Sequence, residues 1–315
     1  MLQFLSIPSY TTEAGVELKD YRLSYEVAGP TLGSAPIVLV HHALTGNSSV
    51  AGPEGWWAQL IGPGQTIDSK HYTILAFNIP GNAYDGRDCP LALGFSLRDV
   101  AELFGLGLRQ LGIETIDTII GASLGGALSL QLGFLYPRLA RQIICIASDY
   151  RASDWLLAQT MVQRQILEHS SHPIEDARIH AMLCYRTPAS LNLRFGGQVS
   201  QRTPELSAIE DWLGYHGRTL ASRFSLNAYR VMTSLTGSIR VCQKDSELSR
   251  IKSIIRLVSI ESDLLFTHDR AETLHRSLLV NKPDSTLDVI YSIHGHDAFL
   301  MEYEQLNAIV QSYIS

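Results

Sequence analysis

Ile116-Asp117-Thr118-Ile119-Ile120-Gly121-Ala122-Ser123-Leu124-Gly125-Gly126-Ala127-Leu128 changes character halfway along: an apolar run suited to a buried strand stops at a glycine, and helix-forming residues begin three positions later. Gly-x-Ser-x-Gly between a strand and a helix is the pattern of a nucleophile elbow. The glycines have a steric purpose. A sharp strand-to-helix turn strains the backbone at Ser123, and a side chain at Gly121 or Gly125 would collide with neighbouring backbone. Amides at the helix start point toward developing negative charge, which makes the Leu124 N–H a candidate oxyanion donor. Taken alone, the same residues also fit an ordinary glycine-rich turn, so the chemistry requires partners elsewhere.

Outward from this stretch, strand-like and helix-like segments alternate. Residues 21–28 alternate like an antiparallel strand, while 37–40 and 72–77 are apolar runs suited to buried strands. Ser96-Leu97-Arg98-Asp99 reads as a capping box that opens an amphipathic helix through Leu111. A helix over 124–136 and a strand over 142–147 follow. The pattern lapses at about 150–241, a stretch rich in Leu, Tyr and Arg without a convincing buried strand. It resumes with strands at 254–260 and 287–293 and helices at 269–279 and 297–314. Such alternation predicts the α/β class: a mostly parallel central sheet flanked by helices, its core formed by 1–149 and 242–315, interrupted by a helical lid insertion at 150–241.

Composition narrows the function. In 315 residues, 25 Lys+Arg stand against 31 Asp+Glu for a net charge of −6, and no basic block offers a footprint for nucleic acid. Hydrophobic residues make up 45%, enough for a large core. Cys89, Cys145, Cys184 and Cys242 form no CxxC pair, so neither a zinc site nor a disulfide framework is indicated, and a reducing cytoplasm fits best. The first residues lack a basic segment followed by a long apolar run, and no 18-residue apolar stretch occurs later. The expectation is a cytoplasmic protein that does not span a membrane and uses neither metal nor bound cofactor.

A serine hydroxyl is a poor nucleophile until a base removes its proton and an acid orients that base. Asp263 follows the 254–260 strand and His296 follows the 287–293 strand, within Gly295-His296-Asp297. The order Ser, Asp, His is that of α/β-hydrolases. Glu261 and Asp149 are rival acids, and His294 is the rival base. Asp297 could simply be a carboxylate at a helix N-terminus. A second oxyanion donor is expected from His41-His42-Ala43-Leu44-Thr45-Gly46, where the Leu44 amide is the candidate.

Assembled, these segments resemble the homoserine O-acetyltransferase family of the α/β-hydrolase superfamily over most of the chain. The resemblance rests on His42-Ala43-Leu44-Thr45-Gly46, Ile67-Asp68 leading to Asn78, the elbow, Arg164-Gln165-Ile166, Phe224-Ser225-Leu226-Asn227-Ala228-Tyr229 and Gly295-His296-Asp297-Ala298-Phe299-Leu300. It implies Ser123 as acyl acceptor, His296 as base, Asp263 as orienting acid, and a ping-pong cycle in which acetyl-CoA, a co-substrate, acetylates the enzyme before L-homoserine takes the acetyl group. It further implies that Asp297 holds the amino group of the acceptor, and that the protein is a homodimer. The family's Phe-Gly-Arg segment, whose arginine meets the acceptor carboxylate, reads Phe195-Gly196-Gly197 here, which leaves Arg194 or Arg202 as the candidate replacement. A carboxylesterase or related hydrolase with the same triad is the competing function. A non-catalytic binding protein on this fold is the third, and its intact triad argues against it.

Overall fold

The structure, a computed structural model, describes residues 1–314; Ser315, at the end of the expected core, lies outside them. Ten strands occur: β1 (Gln3–Thr11), β2 (Glu17–Ala28), β3 (Ile37–His41), β4 (Ile61–Gly62), β5 (Ile67–Asp68), β6 (Thr73–Phe77), β7 (Ile116–Ala122), β8 (Ala140–Ile146), β9 (Ile254–Ile260) and β10 (Thr286–Ile290). Eight form one sheet in the order β1-β2-β6-β3-β7-β8-β9-β10, in which β2 alone runs against the others. The short β4 and β5 pair separately. Sequence reading missed the edge strand β1, whose side chains are mostly exposed.

Period-two alternation builds the layers. Leu39, Leu75, Phe77, Ile119 and Ile143 pack on one face, whereas Val38, Val40, Ile74, Ile120 and Ile144 pack on the other. Every residue of β3 and β6 is buried, as expected where helices cover both sides of a parallel sheet. The core helices are α1 (Leu97–Gln110), α2 (Leu124–Leu135), α8 (His268–Leu279) and α9 (Tyr303–Ile314). The capping box opening α1 is present, with the Ser96 side chain accepting from the Asp99 amide.

Between β8 and β9 lie five helices: α3 (Asp154–His169), α4 (Pro173–Tyr185), α5 (Pro188–Phe195), α6 (Ala208–Ala221) and α7 (Leu226–Gly237). Ser153, Thr187, Ser207 and Ser225 cap four of them, and α4 begins with Pro173. The segment leaves and rejoins the core side by side, since the Val241 amide donates to Tyr150 O at 2.8 Å and the Ala152 amide to Ile239 O at 2.8 Å. No helix among the described residues is long and apolar enough to cross a membrane.

Two sequence boundaries are corrected. The strand expected over 287–293 ends at Ile290, because 291–293 peel away toward the lid. Ser262 Oγ donates to Ser292 O at 2.5 Å and Thr187 Oγ1 donates to Ile293 O, so carbonyls that would extend the sheet are taken. The helix expected over 297–314 is broken into a 3₁₀ turn, Gly295–Leu300, followed by α9. The tighter turn buries His296 and Phe299 together, a placement that one continuous helix axis does not provide here.

Asp99 ties the N-terminal hairpin to α1. Its carboxylate accepts from Tyr10 Oη at 2.6 Å, the Glu13 amide at 2.8 Å and the Ser96 amide at 2.8 Å, and the residue is fully buried. Asp99→Ala should therefore cost about 3 kcal/mol or more, since enclosed donors are left without an acceptor. The urea midpoint of unfolding would show the loss, with Asp99→Asn falling between the variant and the native chain.

Candidate active site

The elbow is built as its residue types demand. Ser123 has φ 57° and ψ −127°, a strained conformation for a residue with a side chain. Its amide donates to Ile146 O at 2.9 Å, while its carbonyl accepts from Ser148 Oγ at 2.6 Å and from the Gly126 amide at 2.9 Å. Packing is at its limit around it. A Cβ on Gly121 would stand 2.3 Å from Gly125 O, and one on Gly125 would stand 2.2 Å from His41 O. Three chain segments thus close on Ser123 through backbone alone.

Three loops at strand C-termini bring the expected triad together. Ser123 Oγ lies 2.9 Å from His296 Nε2, and His296 Nδ1 lies 2.6 Å from Asp263 Oδ2. The other carboxylate oxygen, Oδ1, accepts from the amides of Leu265 at 2.7 Å and Phe266 at 3.0 Å, which fixes the acid in place. Phe266, Phe299 and Tyr185 enclose the imidazole, with ring centroids 5.5, 5.5 and 5.6 Å away. Burial on its own would lower the His296 pKa, but the charge of Asp263 and its hydrogen bond outweigh burial and raise it above 6.5. The geometry suits proton transfer from Ser123 to His296 with Asp263 holding the tautomer.

The rivals are otherwise occupied. Asp149 accepts from Arg270 Nε at 2.9 Å and from the Tyr150 amide at 2.8 Å, and burial pushes its carboxyl up to about 6. Glu261 faces solvent. His294 Nδ1 meets Ser190 Oγ at 2.8 Å and Arg186 Nη2 at 3.2 Å, away from Ser123. Gly295 between the two histidines has φ +68°, and a Cβ there would lie 2.8 Å from Tyr185 O, so the catalytic loop abuts the lid.

The loop bearing Leu44 is held by a network that sequence reading left undescribed. His42 Nε2 accepts from the Ile79 amide at 2.9 Å, so Nδ1 carries the proton and donates to Ala43 O at 2.8 Å. Asn82 Nδ2 reaches His42 Nε2 at 3.2 Å and Asn78 Oδ1 at 3.1 Å. Burial drives the His42 pKa down to about 4, with the Ala43 bond opposing, so the ring stays neutral. Neither the Leu44 nor the Leu124 amide is engaged by a carbonyl among the described residues.

The residues expected on the acceptor side divide. Asp297 makes no hydrogen bond or ion pair among the described residues; burial raises its carboxyl pKa, against the pull of Arg178, His296 and Arg186. Arg194, the expected stand-in for the family's arginine, is exposed in the last turn of α5, 5.4 Å over Phe195 and 5.2 Å over Trp212. Arg202 pairs with Asp211 at 3.5 Å. The cation with the largest influence on Asp297 is Arg178, which sits 5.5 Å over the Tyr185 ring. Arg178 and Tyr185 are seven residues apart on α4, two turns along one face, and that spacing was the available signal.

A raised His296 pKa has a definite sign for catalysis. The neutral ring is the base, so acylation should be lost as pH falls through a midpoint above 6.5. Asp263→Asn should move that midpoint downward, because burial remains while the raising charge is gone, and should slow acylation by about 10⁴-fold with the fold intact. Stopped-flow acylation rates across pH, with circular dichroism of each variant, would check both.

The model of a family described as alpha/beta hydrolase fold matches residues 36–173. The homoserine O-acetyltransferase of Salinibacter ruber is 30% identical over an alignment that covers 99% of this chain and 97% of that protein. Among solved structures, esterase E22 superposes with a TM-score of 0.89 at 18% identity, covering 100% of both chains. The homoserine O-acetyltransferase of Staphylococcus aureus superposes at 0.85 and 23% identity, covering 100% of this chain and 95% of that one. Fold likeness of this degree is shared by hydrolases and acyltransferases, but the sequence match over the whole length is specific: the chain belongs to the homoserine O-acetyltransferase family.

Proposed function

We propose that this protein transfers an acetyl group from acetyl-CoA to the hydroxyl of L-homoserine through an acetyl-enzyme on Ser123. In the first half, His296 Nε2 takes the Ser123 proton as Oγ attacks the thioester carbonyl, and the proton passes to the departing CoA sulfur. In the second half, His296 takes the proton of the acceptor hydroxyl, whose oxygen attacks the acetyl ester, and Ser123 recovers its proton. The amides of Leu44 and Leu124 are our oxyanion donors, held respectively by the His42 network and the start of α2. The helices of 150–241 act as the lid that keeps water from the acetyl-enzyme.

One observation carries the acceptor assignment. Arg178 lies 5.5 Å over the ring of Tyr185, which is 5.6 Å from His296, and its charge acts on Asp297, yet neither Arg178 nor Asp297 forms an ion pair with any described residue. An amino acid offers one carboxylate and one ammonium, and each opposite charge compensates a partly buried group that otherwise stays unpaired. Arg178 therefore takes the carboxylate role earlier given to Arg194.

Release of free CoA from acetyl-CoA should depend on L-homoserine and vanish in Ser123→Ala. Equal turnover without homoserine would make the protein a hydrolase and overturn the reading. Arg178→Gln should raise the KM for homoserine by about 10- to 100-fold, the worth of a charge-assisted hydrogen bond, while leaving acetyl-enzyme formation nearly unchanged.

A further inference from the structure

Positive charge gathers on one part of the lid in a protein whose net charge is −6. Arg186 and Arg194 stand over the same indole, 5.9 and 5.2 Å from the Trp212 ring centroid, and His216 packs edge-on against that ring at 4.4 Å. Arg186 is only 4% exposed, and its partners are neutral: Ser190 Oγ at 2.5 Å and His294 Nδ1 at 3.2 Å. Neither arginine forms an ion pair among the described residues. The carboxylate next to Trp212, Asp211, is taken by Ser200 Oγ at 2.8 Å and Arg202 at 3.5 Å. Burial, together with the charges of Arg178, Arg194 and Arg186, lowers the His216 pKa to about 4.

Two guanidinium groups stacked on one ring repel each other; the charge of Asp297 acts on Arg186 without forming an ion pair, and Arg194 has no carboxylate partner among the described residues. Such an arrangement is matched by a multiply charged anion that both can share. The acceptor carboxylate is already met by Arg178, and the other substrate of the reaction carries phosphate groups at the far end of a long arm from its thioester. Arg186 is buried and follows Tyr185, which packs on His296, whereas Arg194 over the same indole is exposed, so the cluster runs from beside the triad to the surface of the insertion. Resting on the acetyl-CoA reading above, we propose that Arg186, Arg194 and Trp212 form the seat for the phosphate groups of the nucleotide thioester donor.

Arg194→Gln tests this, because the side chain is exposed and its loss leaves the core untouched. At low ionic strength kcat/KM for acetyl-CoA should fall about tenfold, with the loss in KM, and the salt dependence of KM should flatten. For S-acetylpantetheine, which ends before the nucleotide phosphates, the variant and native protein should agree within about twofold, a discrimination that a merely structural role would not produce. Arg194→Lys should recover part of the loss. Inorganic diphosphate should compete with acetyl-CoA and quench the fluorescence of Trp212, read as the difference from Trp212→Phe. Equal losses on both thioesters, or diphosphate competing with homoserine instead, would overturn the proposal. If native protein used neither thioester, the donor assignment would fall with the acetyl-transfer reading, whereas diphosphate quenching lost in Arg194→Gln would still establish an anion site.

Discussion

The proposed chemistry depends on holding one residue in a backbone conformation that it would not choose. Ser123 at φ 57° costs on the order of 1–3 kcal/mol, and that cost persists only where surrounding structure leaves no alternative. Here the alternatives are removed by contact. β7 and α2 meet through Gly121 and Gly125, and the end of β3 presses its His41 carbonyl against the same helix turn. Side chains at those glycines would drive the segments apart and let the serine relax. The sheet therefore does more than carry the loops: its central strands form the vice that keeps the hydroxyl raised.

Around that fixed point, burial is used in opposite ways on two histidines. His42 and His296 are both fully enclosed, and burial lowers the pKa of each. His42 meets only neutral partners, so it stays uncharged and serves as a bracket: it accepts from the amide of Ile79 and donates to Ala43, holding the loop of Leu44 against the end of β6. His296 meets Asp263, and the carboxylate reverses the sign of the shift. The same residue type becomes a strut in one place and a base in the other because of one neighbouring charge.

The same physics explains what could be read from the sequence. The elbow, both partner loops and the capping box at Ser96 are local patterns, and each depends on residues within a few positions of one another. Asp263 and His296 were findable because strand ends are findable. Arg178 and Tyr185 were not singled out, because their meaning lies in which face of α4 turns toward the 3₁₀ turn at Gly295–Leu300, and helix-to-helix packing decides that. Arg194, expected in place of the family's arginine, lies three positions before Gly197 and is exposed against Trp212, a placement set by packing that the local pattern does not carry. The break before α9 was hidden too, since the pull on 291–293 comes from Ser262 and from Thr187 of the lid, roughly thirty and a hundred residues away.

The lid joins these threads, because it is attached to the catalytic loop rather than hinged over it. Thr187 bonds to Ile293 O, Ser190 to His294, and the Tyr185 carbonyl fills the space over Gly295. Moving the α4–α5 junction would therefore move His296. A lid that opened by swinging there would dismantle the base at each turnover. The opposite side of the insertion is tied to the core as well: Arg223 donates to Thr45 O at 3.1 Å, and Ser225 Oγ donates to Asp88. An enzyme of the kind proposed above, which has to keep water from an acetyl-enzyme, gains from such attachment: helices fixed to the loop of His296 keep the triad assembled while they cover it.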